Sequence, residues 1–131
     1  MQIVSALFVE SFNIRQAPGP STRIDLTGVM FSMVAPSPVP VSVNPHLIAL
    51  IYSPPDGGAS GVFETVFRRG LTEDSEQVAR NVSTFSVEPG KFMYRLVQGD
   101  LEFTEYGQVF AHCRVDLGPW TIVPFTLLPP A

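Results

Sequence analysis

The chain has 131 residues, of which 45% are hydrophobic and 15% charged, and its net charge is −4. That length suits one domain, which at this size buries about two thirds of its unfolded surface and needs no disulfide or metal to hold it. The acidic balance and eight scattered basic residues argue against a nucleic-acid surface, which needs clustered Lys and Arg.

From the amino end, MQIVSALFVESFNIRQ has neither the positive n-region nor the long apolar run of a signal peptide. The longest apolar run, LIALIY, is too short to cross a bilayer. The first predicted strand, within residues 2–14, sets Ile3, Ser5, Leu7 and Val9 on one face and Val4, Ala6, Phe8 and Glu10 on the other. Both faces are largely apolar, so this strand is either covered on both sides or placed at a subunit contact. The run 23–33 alternates in its first half, and Gly28 in its middle signals a bulge or a close backbone approach.

His46 to Ser53, with no polar residue from Leu47 through Tyr52, reads as a buried central strand, closed by the turn chemistry of Pro54-Pro55-Asp56-Gly57-Gly58. In residues 61–69, Phe63, Thr65 and Phe67 alternate with Glu64, Val66 and Arg68. Thr72, followed by Glu73 and Asp74, predicts at most one short helical turn. Strands follow over 78–87, 91–97, 107–117 and 120–128, divided by Glu88-Pro89-Gly90, Gln98-Gly99-Asp100 and Gly118-Pro119. Val109, Ala111, Cys113 and Val115 form an inward face, with His112, Arg114 and Asp116 outward. Strands about 8–12 residues apart with turns between them predict one all-β domain over residues 1–131, an antiparallel two-sheet β-sandwich of about seven or eight strands. A parallel α/β sheet would need amphipathic crossover helices, and none is legible.

The order of these runs resembles a family of small uncharacterised bacterial proteins with an immunoglobulin-like β-sandwich. The residues that carry the likeness are Ala6 and Phe8, then Ile24 through Phe31, Pro45-His46-Leu47, Tyr106 through Phe110, and Asp116-Leu117-Gly118. Val109 stands where the family has an aromatic residue. The resemblance implies the immunoglobulin-like fold and brings no assigned activity and no catalytic residues.

Chemistry is sparse. His112 and Cys113 are neighbours on a strand, so their side chains point to opposite faces and cannot share a metal ion. Cys113 on an inward face reads as a small inert hydrophobe and forms no internal disulfide, since it is the only cysteine. No Gly-x-Ser-x-Gly elbow is present, and His46 alone makes no triad. The carboxylates Glu73, Asp74, Glu76 and Asp100, Glu102, Glu105 read as solvated loops rather than a calcium loop.

The expectation is therefore a non-catalytic, cytoplasmic binding or structural module with no cofactor and no metal. Trp120 and Tyr106 are its candidate ligand surface, for a carbohydrate or another small ligand. Ile3, Phe8 and Phe12 are the candidate association surface, because apolar strands with few charges to guard them favour self-pairing. The expected partner is a second copy, another protein or a larger assembly, and neither nucleic acid nor a membrane.

Overall fold

A computed structural model describes residues 1–19 and 21–131. The chain is all-β among these residues, with eleven strands. They are β1 (Gln2–Ala17), β2 (Ser21–Met30), β3 (Ser32–Val34), β4 (Val41–Val43), β5 (His46–Tyr52), β6 (Ser60–Arg68), β7 (Gln77–Ser86), β8 (Phe92–Gln98), β9 (Leu101–Phe103), β10 (Gly107–Val115) and β11 (Thr121–Leu128). No helix of the described residues is long and apolar enough to cross a membrane. Three of the strands (β3, β4 and β9) span only three residues each. Such strands are too short for alternation to show in sequence, which accounts for the excess over the expected seven or eight. At Thr72 the chain makes a single turn closed by Ser75 N–H donating to Thr72 O at 3.1 Å, with no helix.

The strands form a four-stranded sheet ordered β2-β1-β5-β8, a five-stranded sheet ordered β3-β11-β10-β6-β7, and a two-stranded sheet of β4 and β9. Neighbours run antiparallel except β3, which lies parallel to β11. The two larger sheets face each other in a sandwich-like arrangement. Phe8 of β1 and Phe125 of β11 meet across the core with ring centroids 5.1 Å apart, and Phe103 of β9 reaches Phe125 at 6.5 Å. Leu47, Ala49 and Ile51 fill the same core from β5, opposite Phe63 and Phe67 of β6. Val109, Ala111, Cys113 and Val115 of β10 are all buried in it, as period-2 alternation requires. His112 faces outward and is nonetheless only 1% exposed, because the 69–76 segment folds over it.

The two apolar faces of β1 find their covers within the chain. Strand β1 pairs with β5 only from Gln2 to Val9, and with β2 from Phe8 to Ala17. Past Val9 the β1–β2 ribbon curls back over the outer face of its own sheet. Phe12 thereby meets Tyr94 of β8, whose cross-strand partner is Leu50 in mid-β5, at a centroid distance of 6.3 Å. This fold-back shields Val9 and Ile48, which are 0% and 1% exposed although neither belongs to the inter-sheet core.

The ribbon turns at Gly28, whose φ of 65° is a left-handed value. The Glu10 side chain lies against it, so a Cβ there would fall 2.5 Å from Glu10 Cδ. Glu10 is exposed and can swing away, but the backbone strain on a non-glycine residue remains. Gly28→Ala should therefore cost about 1–2 kcal/mol. Urea unfolding measures this loss, and amide exchange over residues 12–26 should quicken more than over β10.

Candidate functional site

Two regions gather side chains that can do something chemical. One is a polar cluster on the outer face of the five-stranded sheet. Glu64 of β6 stands opposite Arg114 of β10 and diagonal to Arg80 of β7, two residues from its direct partner Val82. Arg114 Nε donates to Glu64 Oε1 at 2.7 Å, and Arg80 Nε and Nη2 reach Oε2 at 2.8 and 2.7 Å. Burial raises the Glu64 pKa, but hydrogen bonds and charge from Arg114 and Arg80 outweigh it and hold the carboxyl below the usual glutamate value.

Trp120 belongs to this cluster. The Arg114 guanidinium sits 4.1 Å above its ring centre, a cation–π contact. Its indole N–H donates to Glu73 Oε1, and the His112 ring meets it edge-on at 6.1 Å. His112 Nε2 lies 2.8 Å from Gly70 O, which fastens the 69–76 segment down. The cluster thus spends its groups on one another and holds a loop against a sheet. Tyr106, at the other end of β10, is half-buried, and its hydroxyl accepts from Val39 N–H at 3.3 Å. Tyr106 and Trp120 flank opposite ends of β10, whose nine residues put them about 30 Å apart. They do not form one surface.

The expected association residues are also dispersed. Phe8 is 1% exposed in the core and presents nothing to a partner, because the second sheet has already covered it. Ile3 is partly buried against that core, and Phe12, carried on the folded-back ribbon, packs beside Tyr94.

Cys113 is buried beside Thr65, whose hydroxyl is 3.8 Å from Sγ, and burial pushes its pKa up to about 12. Reactivity belongs to the thiolate. Cys113 should therefore resist a disulfide reagent in the folded protein at neutral pH and titrate fully once denaturant is added. Absorbance of the released thiol in the two conditions checks this. Among the described residues no three His, Cys, Asp or Glu side chains come together as metal ligands.

The second region is a cleft of about 600 Å³ between the β1–β2 ribbon and the outer face of the sheet beneath it. Ile14 of β1 and Thr22, Arg23 and Ile24 of β2 form its roof. Leu50 of β5 and Phe92, Met93 and Tyr94 of β8 form its floor. The Phe92 ring, packed 5.2 Å from Tyr52, is 60% exposed at the cleft margin. A recess of about 640 Å³ near Ser60, Ser86, Arg95 and Asp116 is larger, but its lining is the more polar of the two. A mostly apolar concavity with a few polar groups is what small-ligand sites look like, and the cleft under the ribbon has that character.

None of its lining residues is among the ligand or association candidates Trp120, Tyr106, Ile3, Phe8 and Phe12. The one trace was the two-sided apolar character of the first strand. Nothing local in the sequence says that residues 14, 24, 50 and 92 meet, because a tertiary fold-back brings them together. Neither a scan against protein-family models nor a search of curated proteins returned a match to this chain.

Proposed function

We propose that the chain is a non-catalytic binding module that holds an apolar ligand in the cleft between the β1–β2 ribbon and the β5–β8 surface. The observation that carries this reading is the cleft itself. A ribbon that curls over a sheet buries Val9 and Ile48 fully yet leaves Leu50, Tyr94 and a largely exposed Phe92 lining open space. An immunoglobulin-like topology suits the reading. Its supports are the antiparallel pairs β5–β8, β6–β10 and β10–β11 in two facing sheets, and the parallel seat of β3 on β11. A non-catalytic role is favoured by where the reactive groups lie. The Cys113 thiol is buried, the His112 ring is bound to Gly70 O under a loop, and His46 is on the other sheet.

The test is binding of an environment-sensitive apolar dye, anilinonaphthalene sulfonate, with decanol as competitor. Burying a phenyl ring against a ligand is worth about 1.5–3 kcal/mol. Phe92→Asp should therefore weaken dye binding about tenfold or more. Leu117→Asp, at a site 86% exposed and outside the cleft, should leave it unchanged. Dye that binds both variants equally, or that does not bind the natural chain, overturns the reading.

A further inference from the structure

The five-stranded sheet ends on one flank in β3, three residues long, and on the other in β7, ten residues long. Short edges are a protection, whereas a long edge offers a row of unpaired N–H and C=O groups to another strand. β7 reads QVARNVSTFS and contains no proline, glycine or lysine, the residues that usually blunt an edge. Its one charge is Arg80, and that guanidinium is drawn onto the sheet face by Glu64 at 2.7 Å, so it does not guard the edge. Arg95 of β8 donates to Ser83 Oγ of β7 at 3.3 Å. That contact closes the gap between the sheets. By comparison the other large sheet ends in β8, which is shorter, carries Arg95 and begins just after Lys91, and in β2, which is as long as β7 but carries Arg23, Asp25 and the bend at Gly28.

We propose that β7 pairs antiparallel with β7 of a second copy about a dyad at Val82, joining two five-stranded sheets into one. The dyad sets Val82 directly opposite its counterpart, and Val82 is 46% exposed in the middle of the strand. The same register places Arg80 opposite Thr84 and Asn81 opposite Ser83, so no charge faces a like charge. Val62 and Leu117, 37% and 86% exposed, share with Val82 a recess of about 350 Å³ in which the charges of Glu64, Arg80 and Arg114 are paired with one another. An edge that fits itself in this way selects a copy of the same chain over an arbitrary extended segment.

Sedimentation equilibrium of the natural chain tests this across micromolar concentrations, with charge-swapped variants at the dyad. The natural chain should show a monomer–dimer equilibrium, and alternate amides of β7 should exchange more slowly as the dimer fraction rises. V82K and V82E should each weaken the dimer about tenfold or more, since like charges then stand opposite each other. An equimolar mixture of the two should recover a dimer. Val82 is half exposed but stands opposite Glu64, so V82E should melt somewhat below V82K, and recovery of the dimer in the mixture separates pairing from folding. A natural chain that stays monomeric at every concentration overturns the proposal. So does a dimer indifferent to both variants, or one that is lost instead on Leu96→Lys in β8.

Discussion

Phe8→Ala should destabilise the protein by about 3–5 kcal/mol, the usual cost of removing a fully buried phenylalanine ring. Phe8 is 1% exposed and lies 5.1 Å from Phe125. The lost side chain therefore opens a cavity at the place where the two large sheets touch. Neither neighbour can collapse into the gap easily, since Phe125 is also held by Phe103 at 6.5 Å. Against a total stability of about 5–15 kcal/mol for a domain, this is about a fifth or more of what keeps the chain folded. Urea unfolding should show the midpoint falling with an unchanged slope, the sign of lost stability without a change in surface exposed. Phe31→Ala is the matched control. Phe31 is 67% exposed between β2 and β3, and its loss should register within about 0.5 kcal/mol.

The second large effect belongs to Glu64. Glu64→Gln leaves Arg114, whose side chain is 24% exposed, and Arg80, which is 51% exposed, without their shared carboxylate. The amide also turns an N–H group toward one guanidinium. A fully dry pair costs about 3–5 kcal/mol to break. With Arg80 half in water, a loss of about 2 kcal/mol at neutral pH is expected. The pH dependence identifies the cause. The Glu64 carboxyl ionises more readily in the folded state than in the unfolded chain, whose glutamate value is the ordinary 4.5. Its contribution is thus complete above that pH and is lost as the pH falls through the lower folded value. The natural protein and Glu64→Gln should therefore differ most at neutral pH and converge under acid. A constant gap down to the acid transition would place the effect in packing rather than charge.

Glu64 also shows what could be read from residues alone. Its strand was legible because Phe63, Thr65 and Phe67 alternate with it. The run from Leu47 to Tyr52 was legible as central because a strand between two neighbours keeps no polar side chain. Those signals are local, and period-2 burial generates them directly. The partners of Glu64 were not legible, because Arg80 and Arg114 reach it through pairings between distant strands. The same holds for Trp120. It looked like a free aromatic at a strand start, but Arg114 and His112 of β10 and Glu73 of the 69–76 segment occupy it. The two-sided apolar strand at the amino end carried a real signal with two meanings, cover from within or a partner. The ribbon turned at Gly28 supplies the cover for Val9, while the edge proposed for pairing lies on the other sheet.

That ribbon's strand also constrains how the chain comes together in time. β1 leaves the ribosome before the other ten strands, yet it waits for β5 to flank it and for β11, the last of them, to bring Phe125 against Phe8. During synthesis Leu7, Phe8 and Val9 therefore spend the longest interval without their native neighbours, in a chain with few charges to keep nascent copies apart. Its β2 hairpin partner is the one cover available early, since strands joined by a short turn pair in microseconds. The segment that roofs the cleft in the finished protein is thus the first protection that the amino-terminal strand receives.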